Sequence, residues 1–198
     1  MEFSLLMFIQ VFFFFLPAAF ANMAPVFFRK LKFLDYPLDA NKTIGGKPIL
    51  GKNKTVRGLV FGIVFGVIIA ILLGMIAFSG FGADKAWLAH YHALQENNSG
   101  KETLPVLLTF GAFGLLLGFG ALFGDALKSF VKRRIGKEPG QRWIVFDQLD
   151  WVIGAYAFAS IMTGFNLLFL AIACIEFFIL HILIKHLGYL LGIETKRW

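Results

Sequence analysis

Long apolar runs divide this chain, and the charged residues collect between them. A helix that crosses roughly 30 Å of hydrocarbon needs about 20 mostly apolar residues. Residues 3–21, 58–81 and 103–124 each meet that requirement once. The run from Trp151 to Gly192 has 42 residues, too many for one span even with tilt. Its most turn-like point is Thr163-Gly164-Phe165-Asn166, and a split there gives spans at 148–164 and 167–190. The pattern predicts an all-α integral membrane protein, a single domain over residues 1–198 with five transmembrane helices. Two polar stretches, 22–57 and 125–147, then lie on one face.

Composition supports that reading, and charge orients it. The chain is 58% hydrophobic and 16% charged, against about 45–50% and 25% for a soluble domain, which excludes disorder and argues against a soluble globule. A single cysteine, Cys174, excludes an internal disulfide framework. Lys and Arg number 8 in residues 22–57, 6 in 124–147 and 3 from Lys185 onward, against 2 in 80–104, which accounts for all 19. Cytoplasmic loops carry the Lys/Arg excess. The N-terminus is therefore expected outside, the C-terminus inside, and both polar stretches on the cytoplasmic face of the cell membrane. Four spans would push Lys196-Arg197 outward and weaken the asymmetry. Ala19-Phe20-Ala21 looks like a signal-peptidase site, but a signal peptide begins with positive charge, whereas the first charge here is Glu2, so a retained first span is expected. The glycosylation-like triplets at Asn41 and Asn53 would face the cytoplasm and read as chance matches.

The first loop is longer than most connections, and long loops are usually functional or disordered. Between Asp35 and Gly58 it interleaves Gly45, Gly46, Gly51, Asn41, Asn53, Thr43 and Thr55 with Lys42, Lys47, Lys52, Lys54 and Arg57. Such a mixture suits phosphate, because backbone N–H groups approach closely while the cations neutralise charge. The same cations also suit anionic headgroups, which need no ordered glycines. Gly46 to Lys52 matches the first seven positions of a P-loop, but Asn53 replaces the magnesium-holding hydroxyl, Pro48 sits inside the cradle and no apolar strand precedes it. A P-loop fold is therefore not expected.

The second loop carries the more specific signal. If the third span continues as a helix past Gly124, then Asp125, Lys128, Ser129 and Lys132 fall at i, i+3, i+4 and i+7 on one face. Pro139-Gly140 would stop that helix. Asp147 and Asp150, three apart at the start of the fourth span, also face one way. Adjacent carboxylates repel, so this arrangement calls for a cation. Magnesium is typically held by one or two carboxylates plus phosphate oxygens. The competing reading of Asp147 and Asp150 is a helix cap. Asp125, at a helix end where the dipole disfavours a carboxylate, has no such explanation unless the helix continues.

Together these residues resemble the CDP-archaeol synthase family, small membrane cytidylyltransferases distantly similar to bacterial CDP-diacylglycerol synthases. The resemblance covers residues 36–154. It rests on Pro37-Leu38-Asp39, on Gly51-Lys52-Asn53-Lys54-Thr55-Val56-Arg57-Gly58, on Gly124-Asp125 with Lys128 to Arg134, and on Asp147-Gln148-Leu149-Asp150 before Gly154. The Ser129-x-Val131-Lys132-Arg133 and Asp147-x-x-Asp150 pieces also match part of the diacylglycerol-type signature. That signature's Lys-Asp and His-Gly-Gly elements are absent, which favours the archaeol type over an enzyme acting on phosphatidic acid. Val56 stands where the family usually has Trp.

The resemblance implies a transfer between CTP and a lipid phosphate with long isoprenyl or acyl chains, in the family 2,3-bis-geranylgeranylglyceryl phosphate. It implies Mg2+ as cofactor and no nucleic-acid partner. Asp125, Asp147 and Asp150 would hold the metal. Lys128, Lys132 and Arg133 would neutralise phosphates, and Ser129 would donate a hydrogen bond. Lys52, Asn53, Lys54, Thr55 and Arg57 would close over the nucleotide. Phosphoryl chemistry needs positioning and charge neutralisation more than an acid or base, and no His lies on either inner loop.

Other classes fit less well. A transporter would show repeats and mid-membrane polar groups. A CDP-alcohol phosphatidyltransferase would need a longer aspartate spacing than Asp147-x-x-Asp150. A non-enzymatic headgroup binder leaves three aspartates unexplained. Glu176 is expected to hydrogen-bond inside its helix bundle, His181 to pack, and Phe12 to Phe15 to face lipid or a neighbouring helix. Gly111, Gly114, Gly118 and Gly120 are expected to permit close helix packing.

Overall fold

The computed structural model describes residues 5–79, 89–96, 103–138, 141 and 143–190. The elements in chain order are α1 (Leu5–Phe27), β1 (Thr43–Ile44), β2 (Lys47–Pro48), α2 (Val56–Phe78), α3 (Ala89–Glu96), α4 (Thr103–Arg134), α5 (Phe146–Thr163) and α6 (Leu167–Leu190). Among the described residues α1, α2, α4 and the Leu167–Leu187 part of α6 are long and apolar enough to cross a membrane. The protein is thus an all-α membrane bundle with one two-stranded ribbon in its first polar loop. Lys196-Arg197 and Glu2 lie outside the described residues.

Helix α4 is the axis, with α1, α2 and α5 packed around it and α6 behind α5. Phe14 and Phe15 of α1 are fully buried. Phe14 meets Phe113 edge-on at 5.3 Å, and Phe15 meets Phe177 of α6 at 5.5 Å. That half of the Phe tract is therefore helix-packing surface rather than lipid-facing. Ala18 and Ala21, at the signal-like sequence, are buried within α1 as part of the core. On α2, Val60, Val64, Ile68 and Leu72 recur every fourth residue and stay exposed, an apolar stripe suited to lipid.

Small residues set how closely the helices approach. A Cβ on Gly114 would come within 2.6 Å of the Gly66 carbonyl oxygen, fixing α4 against α2. A Cβ on Gly124 would meet the Asp150 carbonyl oxygen at 2.2 Å, and one on Gly154 the Gly120 oxygen at 2.3 Å. The α4–α5 contact therefore passes backbone to backbone beside Asp125 and Asp150. Gly111, grouped with these by spacing, has only Ile71 at 3.8 Å and needs no such room.

The helix ends have local causes. The long apolar run breaks at residues 164–166, where Gly164 takes φ +77 and Asn166 Oδ1 accepts the Phe169 N–H at 3.1 Å, capping α6. Tyr156 Oη ties that turn down by accepting from the Asn166 N–H at 2.7 Å. Helix α4 does continue past Gly124, so the first ten residues of the expected 125–147 loop are helical. It stops at Gly136 rather than at Pro139-Gly140, which lie outside the described residues. Gly136 takes φ +81, the Lys137 N–H reaches the Lys132 carbonyl at 2.9 Å and the Gly136 N–H the Arg133 carbonyl at 3.3 Å, a glycine-terminated helix end. Glu176 differs from expectation: its Oε2 is buried and has no hydrogen-bond partner among the described residues.

Because the atoms facing Gly154 are backbone, Gly154→Ala should force α4 and α5 apart at a cost of about 1–3 kcal/mol. Thermal unfolding in detergent should show a lowered Tm for Gly154→Ala and an unchanged Tm for Gly111→Ala; equal behaviour would show that the close approach is not needed.

Candidate functional site

The first polar loop is folded around one carboxylate. Asp39 accepts the N–H groups of Leu50 at 2.8 Å, Gly51 at 2.9 Å and Asn41 at 3.1 Å, and it is 8% exposed. Burial alone would raise the Asp39 carboxyl, but the Gly51, Leu50 and Asn41 N–H groups outweigh it and hold the carboxyl below its usual value. The Leu38 N–H donates to the Lys54 carbonyl at 2.8 Å, which carries Asn53 and Lys54 inward. Gly45 and Gly46, both with positive φ, turn the β1–β2 hairpin. The Arg134 guanidinium, stacked 5.1 Å from the Phe130 ring, donates to the carbonyls of Ile44 at 2.7 Å, Lys47 at 3.1 Å and Pro48. Lys47 Nζ returns a bond to the Arg134 carbonyl at 3.2 Å, so the ribbon is fastened to the end of α4.

Where the C-terminal part of α4 meets the start of α5, the three sequence-predicted aspartates converge. Lys128 Nζ lies 3.1 Å from Asp125 Oδ1, 3.1 Å from Asp147 Oδ1 and 2.8 Å from Asp150 Oδ2. Lys54 reaches across from the first loop to the other oxygen of Asp125. Lys132 Nζ straddles both Asp147 oxygens at 3.0 and 3.1 Å and also donates to the Gln141 carbonyl. Asp147 Oδ2 accepts the Trp143 N–H at 2.6 Å, which locks its rotamer. Ser129 Oγ donates to the Asp125 carbonyl at 2.9 Å, and Arg133 to the Lys137 carbonyl. Asp150 is the most buried of the three, and its Oδ2 is paired with the Lys128 ammonium.

Lys54, Lys128, Ser129, Lys132, Arg133 and Asp147 line a cavity of about 230 Å³ together with Leu50, Gly51, Asn53 and Gln141. Leu50, Asn53 and Lys54 also border a larger cleft of about 840 Å³ between α1, α2 and α4. Three of the expected nucleotide-closing residues do not line the smaller cavity. Lys52 is exposed beside it. Thr55 caps α2, its Oγ1 accepting the Gly58 N–H at 3.2 Å. Arg57 is buried, pairing with Asp35 at 2.9 Å and the Leu31 carbonyl, so it anchors the start of the loop instead of facing the cavity.

The donor set suits a hard divalent ion, since magnesium needs only one or two carboxylates besides phosphate oxygens. Among the described residues no three acidic, His or Cys side chains already form a metal cage. An ammonium stands between the carboxylates, and of the three Asp147 is the most exposed and is the one that lines the smaller cavity. The residues fit, with Lys128 as the competitor.

Sequence reasoning passed over Asp39 as a structural hub, Arg134 as the ribbon clamp and Gly124 with Gly154 as the close contact. Asp39 and Arg134 stand inside recognisable motifs, but their acceptors and donors are backbone groups far along the chain.

Bundle and site define an intramembrane protein with a cation-rich, carboxylate-bearing chamber at one end. Residues 3–198 match the family model described as CarS-like, CDP-archaeol synthase. The CDP-archaeol synthase of Archaeoglobus fulgidus is 38% identical over 168 residues, covering 82% of this chain and 84% of that one. That of Methanocaldococcus jannaschii is 32% identical over 185 residues, covering 92% and 93%. A solved structure described as an intramembrane enzyme for archaeal membrane lipid biosynthesis superposes with TM-score 0.64 at 27% identity, covering 88% of this chain and 91% of that chain. The chain belongs to the CDP-archaeol synthase family.

Asp39 has a depressed carboxyl, so its stabilisation is present above the unfolded value of 3.8 and is lost as pH falls through the lower folded value. Asp39→Asn should therefore lower Tm and expose the 40–51 segment to protease at pH 7. The Tm gap to the parent protein should shrink as pH drops below 3.8. A gap that persists unchanged at low pH would mean that the carboxylate charge is not what orders the loop.

Proposed function

We infer that this chain is a CTP-dependent cytidylyltransferase that converts a lipid phosphate into a CDP-lipid and pyrophosphate, in the manner of a CDP-archaeol synthase. The observation that carries this is the convergence of Asp125, Asp147 and Asp150 on one ammonium, beside a chamber lined by Lys54, Lys128, Lys132 and Arg133. A phosphate oxygen of the lipid attacks the α-phosphorus of CTP. A new P–O bond forms as the bond from the α-phosphorus to the α,β-bridging oxygen breaks, and pyrophosphate leaves with that electron pair. No oxidation and no general acid are required, which agrees with a site built from cations and carboxylates.

Each side chain has a part in that transfer. Lys128, Lys132 and Arg133 balance the triphosphate, and Lys54 with Asn53 meets it from the first loop. Ser129 lines the chamber wall and donates to a phosphate once its hydroxyl turns from the Asp125 carbonyl. Lys52, exposed at the rim, closes over the nucleotide, while Thr55 and Arg57 hold the loop's exit and entry in place. Asp125, Asp147 and Asp150 are the groups to hold Mg2+, which when bound would neutralise charge on the phosphates.

The site belongs on the cytoplasmic face of a five-span bundle in the cell membrane, made of α1, α2, α4, α5 and α6, with the N-terminus outside and the C-terminus inside. Helix α5 has 18 residues and is the least hydropathic of these five after α4, because it brings Asp147 and Asp150 to the site. Its packing along α4 and its return into α6 at Gly164 support counting it as a span.

Asp150→Asn keeps the shape and removes a charge. The purified variant should insert and run as the parent does, but lose at least about 100-fold in CDP-lipid formation, with magnesium no longer stimulating turnover. Near-normal metal-dependent turnover would remove Asp150 from the site.

A further inference from the structure

Helix α1 lines none of the nucleotide chamber, but the cleft beside it shares Leu50, Asn53 and Lys54 with that chamber and has Asp125 in its wall. One wall is a single face of α4, where Phe119, Leu122, Phe123 and Leu127 recur at helical spacing. The opposite wall is the C-terminal end of α1, where Asn22 and Val26 lie one turn apart, and the turn after it, which carries Arg29. The cleft, about 840 Å³, is therefore apolar along its length and polar at its inner lip, where Lys54 and Asn53 are shared with the smaller cavity. Neither the Asn22 amide nor the Arg29 guanidinium has a hydrogen-bond or ionic partner among the described residues. A guanidinium without a counter-ion at the polar end of an apolar trough suits an anionic head on an apolar tail, and a phosphate monoester is the anion that a planar fork binds best.

We propose that this cleft receives the lipid phosphate, with Arg29 and Asn22 of the α1 end binding its phosphate and the α4 face holding the first part of its chains. The assignment rests on the cytidylyltransferase reading and adds to it the place and direction of entry. The occupant is a membrane lipid because the trough continues the apolar surface of α1 and α4. The phosphate would then lie next to Lys54, on the shared edge, where its oxygen faces the nucleotide. Helix α1 thereby becomes a substrate-binding element as well as a packing helix.

The test uses the full-length protein in detergent micelles. With 2,3-bis-geranylgeranylglyceryl phosphate as substrate, Arg29→Ala should raise the KM for lipid about tenfold, the loss expected for one charge-assisted hydrogen bond. The KM for CTP should stay within about twofold on the same grounds, and Arg29→Lys should recover part of the loss. Val26 is 67% exposed, so Val26→Trp fills the cleft without disturbing the core; it should lower kcat/KM for lipid while the calorimetric Kd for CTP is unchanged. A dialkyl phosphate bearing a photoreactive diazirine gives a readout that needs no turnover. It should crosslink to cleft residues of the parent protein, less so to Val26→Trp, and be competed by the long-chain phosphate but not by inorganic phosphate. Unchanged lipid KM in both variants, equal shifts in CTP and lipid binding, equal competition by a neutral dialkyl lipid, or crosslinks elsewhere would each overturn the assignment. Crosslinking at the cleft by a parent protein that makes no CDP-lipid would instead keep the lipid site and sink the proposed reaction.

Discussion

Three carboxylates cannot be held within a few ångströms of a common point unless a cation lies between them, and here that cation is the Lys128 ammonium. Lys54 and Lys132 complete the pairing on either side, so three acids are balanced by three lysines. Removing one partner of such a buried group leaves an uncompensated charge, a far greater loss than the pair's net worth. The cluster is therefore a constraint as much as a bond: α4, α5 and the first polar loop must all be in place for its charges to cancel. Under the proposed reaction the same balance explains the coupling of nucleotide and metal. Lysines that turn toward phosphates leave their aspartates unpaired, and a divalent ion restores what those carboxylates lose.

The backbone around the cluster is built to hold that geometry. Gly124 and Gly154 remove the side chains that would separate α4 from α5, which lets Asp150 reach the ammonium on α4. The first loop is held by two opposite devices. Asp39 gathers backbone donors from within the loop, and Arg134 gathers backbone acceptors from its ribbon. One fixes the loop's internal shape and the other its seat on α4. Lys54 can thus arrive at Asp125 from 71 residues away without any rigid element of its own.

The sequence makes some of this legible and hides the rest for physical reasons. Hydropathy marks the apolar helices because lipid imposes it on every residue of a span, and Gly164 with Asn166 marks the break because only a few residue types suit such a turn. The face shared by Asp125, Lys128, Ser129 and Lys132 follows from helical periodicity alone. That Asp147 and Asp150 join that face does not, since it depends on a packing contact between separate helices. Arg57 looks like its neighbours Lys52 and Lys54 in the sequence, yet it is buried on Asp35. Charge marks the loop as cationic as a whole but says nothing about which of its cations is consumed in holding the loop together.

Joining a water-soluble nucleotide to a lipid poses a solvation problem that neither compartment solves alone. The nucleotide's charges are stable near water and cations, whereas the lipid's chains lose their burial if the molecule is pulled fully out of the bilayer. Two cavities with different linings and a common edge meet both demands. The smaller is walled by lysines, Arg133 and the Asp147 carboxylate, the larger mostly by phenylalanines and leucines, and Leu50, Asn53 and Lys54 belong to both. A lipid phosphate need then move only its head across that edge. The shared residues sit on the loop that Asp39 and Arg134 hold in place, so under the proposed reaction the meeting point of the two substrates is fixed by contacts that touch neither of them.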